Sequence, residues 1–356
     1  MSCLVLYCRG GFEKECAADI QSKASSLGVD GFCKAKPGSA YVVFQPNDAQ
    51  AADRLVTEIS FRELIFARQI FVSPGLVDKM SADDRIGPLL EALESTCPAK
   101  FFEVFLETAD NDKAKELLAF CKKFSRPFNR ALRQSGRLTE DTEATKTRLH
   151  VLFLSATAAY PGVSQADNSS PWFMGIPRLK LSREAPSRSA LKLEEALHVF
   201  LTAEERNERL RSGMKAVDLG ASPGGWSWQL ARRNLLVTAV DNGPMDRKLM
   251  SSGLVEHIRN DGFSFRPEHP VDWLVCDMVE KPGRIAKLVA GWTADGVCSE
   301  AIFNLKLPMK KRFTECQRCG EIISRRLSRA GIRFRLALKQ LYHDREEVTA
   351  HLRRLV

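Results

Sequence analysis

The stretch Lys215-Ala-Val-Asp-Leu-Gly-Ala-Ser-Pro-Gly-Gly225 decides the fold of this 356-residue chain. A short apolar run carries one aspartate and then breaks into a turn that contains Gly220, Gly224 and Gly225. This pattern is typical of a buried parallel strand that ends in a loop whose backbone a bound cofactor can approach closely. The spacing Gly-x-x-x-Gly-Gly differs from the Gly-x-Gly-x-x-Gly of dinucleotide-binding folds, which disfavours an NAD-dependent oxidoreductase.

The sequence on both sides of this turn alternates between apolar strands and amphipathic helices. The last two predicted strands, 333–341 and 347–352, are joined by only a few residues. Because so short a link cannot form a parallel crossover, the last strand must run antiparallel. We therefore predict that residues 187–356 form an α/β, Rossmann-like domain with a mostly parallel seven-stranded sheet and an antiparallel last strand. The other predicted strands of this domain are 215–219, 235–240, 257–259, 273–276 and 301–305.

Residues 1–170 show a different pattern, in which short helices and strands alternate. This pattern fits one or two small α+β units better than a doubly wound sheet. Residues 156–186 contain four prolines and several Gly, Ser and Asn residues, so we expect little regular structure there. We predict an N-terminal α+β region at 1–170, a linker at 171–186 and the second domain after it, and the chain length also favours two domains. The predicted N-terminal strands are 3–8, 40–44, part of 64–72, 101–108 and 149–154.

The net charge of +9 is concentrated in two segments. Residues 301–356 contain 14 Lys and Arg against 5 Asp and Glu. Residues 121–137 contain six basic side chains and no acidic one, with Phe124 and Phe128 between them. Basic segments with aromatic residues suit a nucleic-acid backbone, although a solvated helix face gives the same pattern. The candidate RNA-binding residues of the second segment are Lys122, Lys123, Arg126, Arg130, Arg133 and Arg137.

Several classes of protein are disfavoured by what the sequence lacks. It has no apolar run near 18 residues, so we expect no membrane span, and charged residues come too early for a signal peptide. The ten cysteines show no disulfide-framework spacing, so we expect reduced thiols in a cytoplasmic protein. Cys316-x-x-Cys319 has no second pair at zinc-finger spacing, so we predict no metal site.

Three acidic residues follow successive predicted strands of the second domain. Asp241 ends the second strand, where a carboxylate can accept both ribose hydroxyls of a nucleoside cofactor. Asp261 follows the third strand, where it can meet an adenine amine, and Asp277 follows the fourth, where it can face a methyl donor. Together with the glycine turn, this order resembles the S-adenosylmethionine site of Rossmann-like methyltransferases.

The residues after the fourth strand narrow the choice of methyl acceptor. The Asn/Asp-Pro-Pro-aromatic segment of enzymes that methylate exocyclic base amines is absent. Methylation of carbon 5 of cytosine uses a nucleophilic cysteine that generally follows a proline, and Cys276 has no such proline. Its apolar neighbours are typical of a buried strand thiol. These observations disfavour a nucleobase as the acceptor.

A ribose 2′-hydroxyl is a very weak acid, so its methylation needs a base and a nearby cation. Lys306 ends the fifth strand on the same predicted sheet edge as Asp277, Lys192 lies on the helix before the first strand, and Glu347 opens the last strand. We predict that Lys306 is the base, with its pKa lowered by Lys192 and by desolvation and its amine oriented by Asp277. Taken singly, each lysine is equally well explained as a solvated surface position.

Lys192, Asp277, Lys306 and Glu347 match, in order and context, the Lys-Asp-Lys-Glu tetrad of RNA ribose 2′-O-methyltransferases related to the FtsJ family. Over its whole length the chain also resembles a family of bacterial methyltransferases that act on ribosomal large-subunit RNA. The segments that carry this wider resemblance are 9–16, 174–180, 185–189, 217–225, 304–310 and 341–348.

The resemblance implies an N-terminal THUMP-containing, RNA-binding region, a C-terminal Rossmann-like domain and S-adenosylmethionine as cofactor. It implies methylation of the ribose of one cytidine in the peptidyl-transferase region of 23S rRNA, and we expect a monomer that acts before full ribosome assembly. The alternative is a non-catalytic RNA-binding or assembly factor, which has no reason to keep all four tetrad residues. The implied cofactor contacts are Ser189, Ser222, Pro223, Gly224, Gly225, Asp241, Asp261 and Asp277, with Lys306 as the base.

Overall fold

The computed structural model describes residues 2–48, 50–94 and 100–355. It divides into two compact units, Met1–Pro177 and Arg178–Val356. The division falls inside the range predicted as a linker, 171–186. Met1, the first residue of the predicted N-terminal region, and Val356, the last residue of the predicted second domain, lie outside the described residues.

The first unit has seven strands and four α-helices within its described residues. Their order in the chain is β1 (Cys3–Tyr7), α1 (Glu13–Ser26), β2 (Gly31–Lys34), β3 (Tyr41–Pro46), α2 (Ala51–Glu58), β4 (Gln69–Ser73), α3 (Ile86–Glu94), β5 (Glu103–Thr108), α4 (Lys115–Gln134), β6 (Thr147–Ser155) and β7 (Ala158–Gln165).

These strands form one sheet in the order β2-β3-β1-β4-β7-β6-β5. Neighbouring strands are antiparallel except β5 and β6, which are parallel. Between β4 and β7 only Val72 and Val163 are paired. The middle of the sheet is also linked by a buried network, in which Glu107 of β5 accepts hydrogen bonds from Tyr7 Oη (2.7 Å) and the Met174 N–H and contacts His150 Nδ1 (3.0 Å).

One prediction for this unit was wrong. Residues 158–165 form β7, although the proline content of 156–186 predicted little regular structure. A proline has no N–H to donate, and Pro161 is accommodated because β7 pairs with β4 at only one position. The aromatic residues between the basic side chains of α4 pack towards the apolar core, and Phe124 is half-buried. Phe128 is fully buried, and Phe124 stacks between Phe120 and Phe128 in the core.

The second unit has seven strands and six α-helices within its described residues. Their order in the chain is α5 (Ala190–Phe200), α6 (Ala203–Arg209), β8 (Lys215–Leu219), α7 (Gly225–Ala231), β9 (Leu236–Val240), α8 (Arg247–Met250), β10 (Val255–Ile258), β11 (Val271–Cys276), α9 (Pro282–Ala294), β12 (Cys298–Lys306), α10 (Arg312–Arg329), β13 (Arg333–Lys339) and β14 (Glu347–Leu355).

The second sheet has the order β10-β9-β8-β11-β12-β14-β13. The strands from β10 to β12 are parallel, and β14 is antiparallel to both of its neighbours. The last strand therefore runs antiparallel as predicted, but it lies inside the sheet rather than at its edge. The sheet is covered on both faces, since Trp273 and Val275 belong to one apolar cluster while Leu274 and Cys276 belong to the other.

The cysteines of the second unit are core residues. Cys276 is fully buried, and burial raises the pKa of its thiol to about 12, which is unsuited to a nucleophile. Cys316 and Cys319 are buried on α10, and burial raises the pKa of Cys319 to about 12. Among the residues that the structure describes, no helix is both long and apolar enough to cross a membrane.

Candidate active site

The predicted site residues of the second unit lie at the carboxyl ends of its parallel strands. The turn after β8 depends on glycine, because Gly220 has φ +79° and Gly224 has φ +114°. A Cβ atom on Gly224 would lie 2.4 Å from Leu249 Cδ2. The left-handed conformation and the close approach together exclude a larger residue at this position.

Met278 holds this turn against the loop after β10. A Cβ on Gly220 would lie 2.8 Å from Met278 Cγ, and a Cβ on Gly262 would lie 2.7 Å from Met278 Sδ. The side chain that follows Asp277 is therefore packed against glycines of both loops. Met278 was not among the predicted site residues, and in the sequence its contacts are indicated only by two glycines in separate loops.

Asp241 braces the glycine turn from the end of β9. One carboxylate oxygen accepts the Ser222 N–H (3.0 Å), and the other accepts the Gly243 N–H (2.7 Å). A carboxylate has about four lone-pair positions, so both oxygens can accept further hydrogen bonds from a ribose diol. The half-buried Asp241 therefore fits the predicted contact to S-adenosylmethionine.

The remaining predicted cofactor residues surround the same turn. Asp261 is exposed, and its side chain accepts the Phe263 N–H (2.9 Å). Ser189 Oγ is 2.7 Å from Ser187 Oγ and would lie 2.3 Å from a Cβ on Gly225. Pro223 is exposed within the turn. Carboxylates after β9, β10 and β11, at the same sheet edge as the glycine turn after β8, form a set of acceptors that suits a nucleoside with a cationic sulfur.

The four predicted tetrad residues form one cluster of alternating charge. Lys306 Nζ donates to Asp277 Oδ1 (2.9 Å) and to Glu347 Oε2. Lys192 Nζ lies 2.5 Å from Glu347 Oε1 and 3.4 Å from Asp277 Oδ2. Lys306 and Glu347 are directly paired residues of β12 and β14. Each lysine thus contacts both carboxylates, and the side chain of Glu347 is only 6% exposed.

The protonation of Lys306 differs from our prediction. Burial lowers its pKa, but the charges of Asp277 and Glu347 outweigh burial and raise the pKa to about 12. Burial therefore acts in the predicted direction, but the predicted net lowering of this pKa was wrong. The prediction considered one neighbouring cation and missed that two carboxylates contact the same ammonium group.

Four further residues support this cluster and were missed by sequence reasoning. Asn304 Nδ2 donates to Asp277 Oδ1 (2.8 Å), and Thr349 donates to Asn304. Glu195 of α5 accepts the N–H groups of Tyr342 (2.7 Å) and His343 (2.9 Å) in the loop before β14. The fourth residue is Asp344, which is fully buried in that loop. Of these, only Asn304 and Thr349 could have been predicted from the sequence, since each lies two residues from a tetrad member on the same face of a strand.

Five of the six candidate RNA-binding residues lie exposed along α4. Arg137 lies beyond the helix, where its guanidinium is 5.1 Å from the centre of the Phe101 ring. It is half-buried there, whereas the other five are exposed. The exposed set consists of Lys122, Lys123, Arg126, Arg130 and Arg133.

Metal-ligand chemistry is not indicated at this site. Across the described ranges, no group of three or more His, Cys, Asp or Glu side chains has a geometry suited to a metal ion. The carboxylates of the tetrad contact lysines instead.

Three family models match the chain. Residues 1–71 match a model described as the RlmM ferredoxin-like domain, and residues 84–165 match the N-terminal model of ribosomal RNA large subunit methyltransferase M. Residues 185–314 match a model described as FtsJ-like methyltransferase. The first two matched ranges lie in the first unit of the structure, and the third lies in the second unit.

Full-length relatives are also similar to the chain. Ribosomal RNA large subunit methyltransferase M of Methylococcus capsulatus is 53% identical over 351 residues, which cover 99% of this chain and 98% of the relative. The protein of the same name from Edwardsiella ictaluri is 51% identical over 355 residues, with 100% and 95% coverage.

The chain is also similar to solved structures with which it shares less sequence. TrmN from Thermus thermophilus has a TM-score of 0.38 and 15% identity, with full coverage of both chains. Fibrillarin from Aeropyrum pernix has a TM-score of 0.33 and 13% identity over 57% of this chain and 81% of that one.

Proposed function

Because the chain belongs to the ribosomal RNA large subunit methyltransferase M family, an S-adenosylmethionine-dependent family of rRNA-methylating enzymes, we propose that it methylates the ribose 2′-hydroxyl of a cytidine in 23S rRNA. The observation that carries this proposal is the cluster of Lys192, Asp277, Lys306 and Glu347 at the carboxyl edge of the sheet. A weakly acidic hydroxyl needs a base and a cation close together, and the two lysines provide both.

Each tetrad residue has a role in this proposal. Lys306 first loses its own proton. As a neutral amine, its Nζ then accepts the proton of the ribose hydroxyl. Asp277 and Glu347 fix the position of that amine by two hydrogen bonds. The ammonium group of Lys192 stabilises the negative charge that develops on the ribose oxygen. S-adenosylmethionine, when bound, supplies the methyl group on its sulfonium, and Asp241, Asp261, Ser189 and residues 222–225 hold it.

The edge of the sheet beyond the tetrad suits a single-stranded RNA. Val279 and Met309, in the loops after Asp277 and Lys306, are each 89% exposed and can contact an unstacked base. Lys310 and Lys311 follow Met309 and are also exposed, so they can contact phosphates. The exposed basic face of α4 is proposed to contact RNA as well.

The finer features of the proposal rest on the sequence resemblance. They are a THUMP-containing, RNA-binding region within residues 1–170, a linker at 171–186, a target in the peptidyl-transferase region, action before full ribosome assembly, a monomeric state and a cytoplasmic location. A map of methylated riboses in rRNA from cells with and without this protein tests the target directly.

The test of the base is Lys306→Ala. We expect no methyl transfer to the ribose, because Lys192, the other amine that contacts Asp277 and Glu347, serves as the cation and does not replace the base. The affinity for S-adenosylmethionine measured by calorimetry should change little. Lys287→Ala, which removes an exposed lysine of α9, is the matched control and should retain full activity. Turnover by Lys306→Ala close to that of the unchanged protein would reject the assignment.

A further inference from the structure

Behind the tetrad, a chain of fully buried polar side chains runs from Asp277 into the protein. Asn304 Nδ2 contacts Asp277 Oδ1 at 2.8 Å, and Asn304 Oδ1 is 2.8 Å from Thr349 Oγ1. Thr349 Oγ1 is in turn 3.1 Å from Asp344 Oδ1 and 3.0 Å from Asp344 Oδ2. Asn304, Thr349 and Asp344 each have no exposed surface, so water cannot complete their hydrogen bonds.

The direction of each hydrogen bond follows from counting protons. Asp277 lies between two lysines as a carboxylate and only accepts, so Asn304 must turn its amide N–H towards it. The carbonyl of Asn304 then faces Thr349 and receives the one proton of the threonine hydroxyl. Because that proton is used, the contact between Thr349 and Asp344 requires a proton on Asp344.

The surroundings of Asp344 agree with a neutral carboxyl group. Its Oδ2 accepts two backbone N–H groups, from Leu341 (3.0 Å) and Thr349 (3.2 Å), which leaves Oδ1 to carry the proton. Burial raises the pKa of Asp344 well above its ordinary value, and the charges of Glu347 and Glu195 raise it further, against smaller opposite effects of the Leu341 N–H hydrogen bond and of Lys192.

We propose that Asp344, Thr349 and Asn304 are positioning residues that form a one-way chain of hydrogen bonds, starting at a neutral Asp344 carboxyl group and ending at Asp277. The chain fixes the Asp277 carboxylate in the orientation in which Oδ1 also receives Lys306. Asp277 Oδ1 accepts hydrogen bonds from both the Asn304 amide and Lys306. The Asn304 amide therefore weakens the attraction of this oxygen for the Lys306 ammonium group, so Lys306 holds its proton less tightly. This inference rests on the proposed function only where it concerns the rate of methyl transfer.

The protonation of Asp344 can be tested without RNA. An unfolded aspartate has a pKa near 3.9. Above that pH Asp344 keeps its proton in the folded protein but not in the unfolded chain, so its contribution to stability falls as pH rises. Asp344→Asn replaces the carboxyl by an amide that donates to Thr349 and accepts the two N–H groups at any pH. We expect the Tm of Asp344→Asn to equal that of the wild type near pH 4 and to exceed it by a growing margin towards pH 8.

The control for this measurement is Asp295→Asn, which neutralises an exposed carboxylate in an ion pair with Arg326. Its Tm should not rise relative to the wild type with increasing pH, because it loses an ion pair at neutral pH. If the Tm difference for Asp344→Asn is constant or shrinks with pH, Asp344 is ionised in the folded protein and the proposal is wrong.

The positioning role is tested with Thr349→Val and Thr349→Ser. Valine removes the hydroxyl at nearly the same volume, whereas serine keeps it. We expect kcat to fall about tenfold or more for valine and to stay within about twofold for serine, because loss of the hydroxyl also releases the hydrogen bond from Asn304 to the charged Asp277. Affinity for S-adenosylmethionine should be equal in both variants.

The pH profile separates positioning from a general loss of structure. Without the Asn304 amide, Asp277 holds Lys306 more tightly, so the rising limb of kcat against pH should move to higher pH in Thr349→Val only. Equal kcat values and equal profiles for the two variants would overturn the positioning role. If the wild-type protein transfers no methyl group to ribose, the proposed function fails separately. The inference then depends on the Tm series and on a crystal structure of Thr349→Val, in which the Asn304–Asp277 contact is expected to be lost.

Discussion

The two lysines and two carboxylates of the tetrad carry charges that sum to zero. Each lysine contacts both acids, so the four side chains hold one another in place. The same contacts raise the pKa of Lys306 to about 12, although burial acts in the opposite direction. Loss of the Lys306 proton is therefore the pH-dependent step of the proposed reaction.

This leads to a prediction about pH. Because kcat/KM reports the free enzyme, its logarithm should rise with a slope of about 1 per pH unit up to at least about pH 9. Glu347→Gln removes one of the two charges that hold the proton, so its profile should move to lower pH. Glu346→Gln, at the neighbouring residue that pairs with Arg312, is the control and should not move it. A wild-type profile that is flat between pH 7 and pH 9 would contradict Lys306 as the base.

At the scale of single elements, one face of helix α5 contacts both the tetrad and the loop before β14. Lys192 contacts the tetrad, and Glu195, three residues later, accepts the N–H groups of Tyr342 and His343 and contacts His343 Nδ1 at 2.6 Å. Residues three apart lie on one side of a helix, so α5 connects one tetrad member with the loop that precedes another, Glu347.

We predict that Glu195→Ala loosens the loop between β13 and β14. The amides of Tyr342 and His343 should exchange with deuterium at least about tenfold faster, since each loses a charge-assisted hydrogen bond. The matched control is Glu194→Ala, which removes the neighbouring carboxylate that pairs with Arg233. Equal protection of both amides in the two variants would show that Glu195 does not hold the loop.

The basic face of α4 gives a prediction about RNA binding. Replacing Lys122, Arg126 and Arg130 by Gln should weaken binding of 23S rRNA fragments and reduce the dependence of log Kd on log salt by about 0.7 for each lost phosphate contact. Lys23 and Arg54 lie elsewhere on the first unit in ion pairs with Glu63 and Glu58, and their replacement by Gln is the control. An unchanged salt dependence in the α4 variant would mean that this face is only solvated.

The site residues that could be predicted from the sequence are those whose position depends on a single strand. Asp277, Lys306 and Glu347 each lie at the end of an apolar strand, so their meeting at one sheet edge follows from topology alone. Asp344 and Glu195 could not be found in this way, because their partners are distant in sequence or lie in an irregular loop. The pKa of Lys306 was misjudged for a related reason, since it depends on distances between side chains that no strand pattern specifies.

At the scale of the whole molecule, the first unit is one sheet made from two parts of the chain. Residues up to β4 and residues from β5 onwards form separate groups of strands, and between β4 and β7 only Val72 and Val163 are paired. The buried carboxylate of Glu107 reinforces this joint, because it contacts Tyr7 from the first group and His150 from the second. His150 also stacks on Phe71 of β4, with 4.9 Å between ring centres.

We predict that Glu107→Ala destabilises the first unit by roughly 3–5 kcal/mol, since it leaves several buried polar groups without a partner. Tyr7→Phe removes one hydrogen bond from the same network and should cost about 1–2 kcal/mol. Both values can be read from urea unfolding monitored on residues 1–177 by hydrogen exchange, while the affinity for S-adenosylmethionine serves as the control for the second unit. A loss below about 1 kcal/mol for Glu107→Ala would show that the joint does not depend on this carboxylate.

The position of β14 inside the second sheet has a consequence for biosynthesis. A nascent chain that has emerged as far as Lys339 already contains the glycine turn, Asp241, Asp277 and Lys306, yet β13 has no partner strand until residues 347–355 arrive. Those same residues bring Glu347 and Thr349. Completion of the sheet and completion of the tetrad are therefore one event, so a polypeptide cut short by a premature stop codon would lack both a finished core and a working catalyst.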